Sequence, residues 1–338
     1  MNRKIYFRTD GNNKIGHGHV IRCTALVDML RNDFNCTFLI YKPSEFLITE
    51  IQNAGADYIE ITETQDYISE AKEIAAKYIK GTDIVVLDGY NFETEYQKII
   101  KNTGCKLVCI DDIHQYHFVA DAVINHGGEN CENKYSITEN TKLFLGFDYL
   151  MVRKQFYENR LQKQFEGKIK SVLLSFGGSQ TYDLQEKFVK AVLKLHEIEI
   201  INLITSSKSK ISHILQNDRL NIYENLKVEE LIQIANDSDI IICAASTFAL
   251  EMCILNKPMI CGYFVENQNN IYNCLLRNNM IIGIGNINSI CENLIIENFK
   301  FILKNDYFTN LYINYQKLFT NKNSTANIIK IFKTICTC

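Results

Sequence analysis

His19 lies in the stretch Phe7-Arg-Thr-Asp-Gly-Asn-Asn-Lys-Ile-Gly-His-Gly-His-Val-Ile-Arg22, which gathers an aspartate, several glycines, two histidines and two arginines. An imidazole is the side chain best suited to exchange protons near neutral pH. His19 and Arg22 stand three residues apart at the start of a helical pattern, so both can face one side. Gly16 and Gly18 let the backbone turn tightly and approach a ligand, and the first turn of a helix offers unpaired N–H groups to an anion. Asp10 is placed to orient or tune the His19 ring, and Arg8 precedes it on the strand. Gly-x-Gly runs directly into His19, with no third glycine where helix and strand would pack, so a dinucleotide cofactor is not expected.

The second half carries a similar device. Ser171-Val-Leu-Leu-Ser175 leads into Phe176-Gly-Gly-Ser179, where Gly177, Gly178 and Ser179 suit a phosphate or simply make a tight turn. Ala244-Ala-Ser-Thr247 precedes an apolar helix whose charged residue is Glu251. Ser246 or Thr247 can cap that helix and, with its first amides, cradle a diphosphate. Glu251 stands one position beyond a capping box counted from Thr247. Ribose hydroxyls would partner it, as would a salt bridge with Lys257. Asn267 and Gln268 offer amides for pyrophosphate or sugar, against a plain helix start. Asp88-Gly-Tyr90 and Asp111-Asp112 follow apolar runs; Tyr90 can hydrogen-bond or stack on a sugar, whereas strand-end aspartates also cap helices and hold loops. The turn Asn125-His126-Gly127-Gly128 is equally open to both readings.

The elements that must position these residues alternate. Lys4–Arg8, Cys36–Ile40, Tyr58–Ile61, Asp83–Leu87, Lys106–Ile110, Ala122–Ile124 and Lys142–Leu145 read as strands, with helical segments between most of them. The pattern restarts at Ser171 and continues to Ile284, so the expected class is α/β with two Rossmann-like domains facing a cleft. Residues 1–152 form the first domain with the catalytic loop, 153–170 a linker, 171–305 the nucleotide-binding domain and 306–338 a helical tail.

Composition narrows the function. At 338 residues the chain exceeds one comfortable core. A net charge of −3 without a basic block gives no support to nucleic-acid binding. No run reaches the ~18 apolar residues of a membrane helix, and with Lys4–Arg8 reading as a strand near the start, secretion is not expected. Several of the twelve cysteines lie inside apolar elements, which fits reduced thiols in the cytoplasm. Cys336 and Cys338 have no second pair at zinc spacing, so no metal is expected.

Assembled, these residues resemble the nucleotide-sugar hydrolases of pseudaminic acid biosynthesis, which act on UDP-2,4-diacetamido-2,4,6-trideoxy-β-L-altropyranose. The matching pieces are Arg8-Thr-Asp10, Ile15-Gly-His-Gly-His19 with Arg22, Leu87-Asp-Gly-Tyr90, Asp111-Asp112, Gly146-Phe-Asp-Tyr-Leu-Met-Val-Arg153, Phe176-Gly-Gly-Ser179, Ala245-Ser-Thr247 with Glu251, and Asn267-Gln268. The resemblance runs over roughly residues 4 to 285. It implies a glycosyltransferase-B-like fold, related to the transferase that adds N-acetylglucosamine to the peptidoglycan lipid precursor, with water as acceptor. It further implies that His19 is the catalytic histidine and that UDP binds at the serine and glutamate motif. His17 and Gly89 occupy variable positions of the family pattern, and the chain after about Gly285 has no match.

On this reading His19 takes a proton from water, Tyr90 positions water or sugar, and amides and hydroxyls at Gly177–Ser179, Ser246 and Thr247 take the charge growing on the pyrophosphate. Diphosphate leaves readily, so neither metal nor cofactor is required. The expected partner is a small UDP-sugar, with no nucleic acid and no membrane insertion, and the chain is expected to be a monomer. The rivals are a glycosyltransferase on the same fold, a UDP-sugar epimerase and a noncatalytic nucleotide-sugar binder.

Overall fold

A computed structural model describes residues 3–11, 16–160, 168–177, 181–211, 217–303, 312–317 and 323–337. The chain divides into two compact units, Met1–Arg153 with Lys322–Cys338, and Lys154–Asn321.

The first unit is built on a parallel sheet of β1 (Lys4–Thr9), β2 (Asn35–Tyr41), β3 (Asp57–Ile61), β4 (Ile84–Asp88), β5 (Lys106–Ile110), β7 (Ala122–Asn125) and β9 (Lys142–Leu145), in the order β3-β2-β1-β4-β5-β7-β9. β6 (His117–Phe118) and β8 (Ser136–Ile137) pair separately. Apolar residues on both faces of the strands explain the layers. Phe7, Val86, Val108, Ile110 and Ile124 pack under α1 (Gly18–Leu30) and α2 (Glu45–Asn53), while Leu39, Val85, Leu107 and Val123 pack under α3 (Tyr67–Lys77) and α4 (Thr94–Lys101). Ser44 caps α2 by accepting from the Leu47 N–H, and Asp66 caps α3 through the Ile68 and Ser69 N–H groups. The C-terminal helix Ser324–Thr337 belongs to this unit: Ile328, Ile331, Phe332 and Ile335 enter the core beside α1.

The second unit repeats the plan. β10 (Ser171–Ser175), β11 (Ile200–Ile204), β12 (Leu220–Tyr223), β13 (Ile240–Ala244), β14 (Met259–Tyr263) and β15 (Ile282–Asn286) are parallel, in the order β12-β11-β10-β13-β14-β15. α5 (Lys154–Glu158) falls in this unit, at the start of the stretch expected as a linker, and residues 161–167 of that stretch lie outside the described residues. α6 (Tyr182–Leu193), α7 (Lys208–Ile211), α8 (Val228–Asp237), α9 (Thr247–Ile254), α10 (Gln268–Arg277) and α11 (Glu292–Leu303) complete it.

In each sheet strand order reverses once, between β1 and β4 and between β10 and β13. Loops leaving the carboxyl ends of strands at such a switch diverge and leave room for a ligand. The loops after β1, β4, β10 and β13 are those that carry the glycine, histidine and serine motifs. No helix among the described residues is long and apolar enough to cross a membrane.

Candidate functional site

In the first unit the side chains of α1 meet the strand ends. Thr9 and Asp88 are register partners at the last positions of β1 and β4. Asp88 is fully buried, and α1 begins with Gly18 and His19 beside it. His19 Nδ1 lies 2.6 Å from Asp88 Oδ1. Arg22 Nη2 also lies 3.0 Å from Nδ1 but donates to Asp88 Oδ1 at 2.5 Å. An imidazole nitrogen and a carboxylate oxygen as close as 2.6 Å need a proton between them, which puts the hydrogen on Nδ1 and the lone pair of the neutral ring on Nε2. Arg22 donates from Nε to Asp88 Oδ2 at 2.7 Å and from Nη2 to Oδ1 at 2.5 Å, and its Nη1 donates to Asp112 Oδ2 at 3.0 Å. The Cys23 thiol donates to Asp88 Oδ2 at 3.4 Å.

Burial alone would raise the Asp88 carboxyl. The Arg22 guanidinium and the His19 ring outweigh it and hold the group well below the usual carboxylate range. Beyond the pair, Asp111 is pushed up to about 6 by burial, against the His114 N–H bond and with the Asp112 charge adding to the rise. The Tyr90 ring meets His19 edge-on, with centroids 4.8 Å apart. His17 turns elsewhere and stacks on Phe46 of α2 at 5.4 Å.

Two residues expected at this site are committed differently. Arg8 is buried, with Nε donating to Glu70 Oε1 at 2.8 Å, Nη2 donating to Glu70 Oε2 at 3.0 Å and its guanidinium over the Phe92 ring. Asp10 does not reach the His19 ring in the expected way: its carboxylate pairs with Arg8 at 2.6 Å and accepts the Tyr41 N–H at 3.0 Å. The carboxylate on the imidazole is Asp88, because α1 runs over β4 and the Arg8 guanidinium draws Asp10 back along β1. Gly16 sits at φ +80, and a Cβ at Gly16 or Gly18 would meet nothing within 4 Å among the described residues.

In the second unit, Gly177 follows β10 at φ +87, again with nothing within 4 Å of an added Cβ among the described residues. Gly178 and Ser179 lie outside the described residues. Ser246 is the extended N-cap of α9 and its hydroxyl makes no capping bond, so the first amides of the helix, beginning at Thr247, are not covered by it. Glu251 is buried one turn further along α9. Lys257, the alternative partner for Glu251, donates to the Asn236 carbonyl at 3.2 Å, and the charges that bear on it are those of Asp239 and Asp237. Asn267 is the N-cap of α10, and the Gln268 Oε1 accepts the Phe264 N–H at 3.0 Å, which fixes the turn after β14.

Asp88 and Asp112 were visible in the sequence as strand-end aspartates without a way to choose between ligand and scaffold. The choice needs strand order, which places β1, β4 and β5 side by side. Cys23 gave no signal, being one apolar-looking residue on a helix face. Among the described residues no group of three or more His, Cys, Asp or Glu side chains is arranged to hold a metal.

No family model matches the sequence. The chain is 28% identical over 291 residues to an uncharacterized protein of Methanocaldococcus jannaschii, a match that takes in 81% of this chain and 58% of that protein, so the chain spans little more than half the length of that relative. It is 24% identical over 274 residues to the UDP-2,4-diacetamido-2,4,6-trideoxy-beta-L-altropyranose hydrolase of Campylobacter jejuni, covering 78% of this chain and 93% of the hydrolase. Among solved structures, S. aureus MnaA in complex with UDP superposes with a TM-score of 0.70 at 12% identity, over 99% of this chain and 97% of that one. MurG of Acinetobacter baumannii gives a TM-score of 0.65 at 13% identity, over 98% and 99% of the two chains. At these identities the structures establish the fold: mixed α/β with parallel sheets, as in glycosyltransferases of the GT-B type.

Proposed function

We propose that this protein hydrolyses a UDP-sugar at the anomeric carbon, releasing UDP and the free sugar, with His19 as the general base. The observation that carries the reading is the His19–Asp88 contact of 2.6 Å. It fixes the imidazole in the tautomer whose Nε2 can accept a proton from water. Asp88 stays charged beside Arg22 and faces the positive charge the ring acquires, the role of the buried carboxylate in a histidine–aspartate pair. Water loses its proton to Nε2 as its oxygen bonds to the anomeric carbon, and the bond from that carbon to the β-phosphate oxygen breaks with the electron pair leaving on UDP.

Nucleotide binding is assigned to the second unit. The amides opening α9 and the turn at Gly177 suit a diphosphate, and Glu251 suits ribose hydroxyls. Gly178, Ser179, Thr247, Asn267 and Gln268 remain proposed contacts, as do Gly16, Gly18 and Tyr90 in the first unit. Arg8 and Asp10 act as supports of that unit's strand-end network and not as ligands.

The similarity to the Campylobacter hydrolase favours UDP-2,4-diacetamido-2,4,6-trideoxy-β-L-altropyranose as substrate and a place in pseudaminic acid biosynthesis. The GT-B fold keeps a second reading in view, transfer of the sugar to an acceptor other than water. Reaction in 18O-labelled water distinguishes them. Hydrolysis with attack at carbon puts the label in the free sugar and none in UDP; UDP release that needs an added acceptor, with no labelled sugar, overturns the hydrolase reading.

A further inference from the structure

The turn after β7 contains a histidine the reaction above does not use. His126 is 1% exposed. Its Nδ1 accepts the Met151 N–H at 3.3 Å, which leaves the ring proton of a neutral imidazole on Nε2. That Nε2 is buried and has no hydrogen-bond partner among the described residues. Burial first, and the neighbouring Arg22 charge second, lower His126 to about 3, so the ring is a neutral N–H donor at physiological pH.

Asp88 pairs with Ile110 and Ile110 with Ile124, and Asp112 and His126 each follow one of these partners by two residues, in the turns after β5 and β7. The charged groups that bear on His126 are Arg22 and Asp88. The turn that holds it is fixed: Asn125 Oδ1 accepts the Gly127 N–H at 3.1 Å, and the Asn125 carbonyl accepts the Gly128 and Gly146 N–H groups at 3.2 and 2.8 Å. A buried N–H without a partner is costly, and a role in binding or catalysis is one reason a native fold keeps such a group.

We infer that His126 is a further substrate-contacting residue of the first unit, its Nε2–H donating to an oxygen of the sugar of the bound UDP-sugar. This inference rests on the proposed function, since it takes the sugar to be bound beside His19. Nothing in the proton transfer passes through His126; its part is to hold the sugar.

The two ring nitrogens can be tested apart. His126→Gln keeps a donor near the Nε2 position and loses the acceptor for Met151, whereas His126→Asn keeps a group near Nδ1 and loses the donor. UDP release from UDP-2,4-diacetamido-2,4,6-trideoxy-β-L-altropyranose is measured for wild type and both variants, with UDP inhibition of each as the control for the second unit and thermal melts as the control for folding. The expected result is a roughly tenfold loss of kcat/KM in His126→Asn. That loss appears mainly as raised KM, with His126→Gln much closer to wild type and UDP inhibition unchanged. Equal loss in both variants, loss confined to His126→Gln, or no loss in either overturns the inference while leaving the proposed function standing. A wild type that neither binds nor hydrolyses this UDP-sugar overturns both together.

Discussion

At the scale of single residues, the proposed chemistry rests on one buried carboxylate, Asp88. Asp88→Asn leaves His19 beside an amide that no longer fixes the ring proton on Nδ1, and kcat is expected to fall by about 100-fold or more with KM little changed; steady-state rates of UDP release check it. Asp111 makes a separate statement about stability. Its carboxyl stands at about 6 in the fold, above its ordinary range, because burial favours the protonated form. The fold therefore binds that proton more tightly than the unfolded chain does. Its contribution to stability is complete below about pH 4 and lost as pH rises through about 6. Asp111→Asn removes that loss, so the variant is expected to match wild type near pH 4 and exceed it near pH 7.5 by on the order of 2 kcal/mol, read from denaturation curves at both values. The sequence made His19 and Arg22 legible because both lie on one helical stripe after a glycine turn. The partner was less legible. Asp10 is near in sequence, Asp88 is near in space, and only the placement of β4 beside β1 decides between them.

At the scale of elements, period and punctuation carried most of the information. Long apolar runs such as those of β4, β5 and β13 are fully buried strands, and the apolar stripes of α1 and α6 are their covers. The two-residue strands β6 and β8 had no such signal, because pairing between so few residues is set by the neighbouring chain and not by a pattern. The start of α1 gives a direct test of ligand approach. A Cβ at Gly18 meets nothing within 4 Å among the described residues, and alanine is the better helix former. Gly18→Ala is therefore expected to melt at or slightly above the wild-type temperature while KM for the UDP-sugar rises several-fold. An unchanged KM would show that no ligand comes close at that position. The C-terminal helix offers a contrasting case, for the tail expected at 306–338 is helical over Ser324–Thr337 and that helix belongs to the first unit. Phe332 is fully buried in the core of the first unit, so Phe332→Ala is expected to cost roughly 3–5 kcal/mol, with amide exchange accelerated in β1, β2 and α1.

At the scale of the whole molecule, two α/β units of similar construction divide the labour proposed here, proton transfer in one and nucleotide binding in the other. The order reversal in each sheet is what ties fold to function, since it opens the strand ends where the glycine, histidine and serine motifs lie. Diphosphate needs only amides and helix ends to leave, so UDP release is expected to survive EDTA unchanged; a requirement for added metal would count against the mechanism. The central claim is that His19 activates water. Its most direct test is the initial rate of UDP release from UDP-2,4-diacetamido-2,4,6-trideoxy-β-L-altropyranose by wild type and His19→Ala, without acceptor or added metal, alongside the affinity of each for UDP. Release by wild type, a fall of about 100-fold or more in His19→Ala and equal UDP affinity are expected. Equal rates in the two proteins, or a wild type that releases UDP only when an acceptor is supplied, would contradict it.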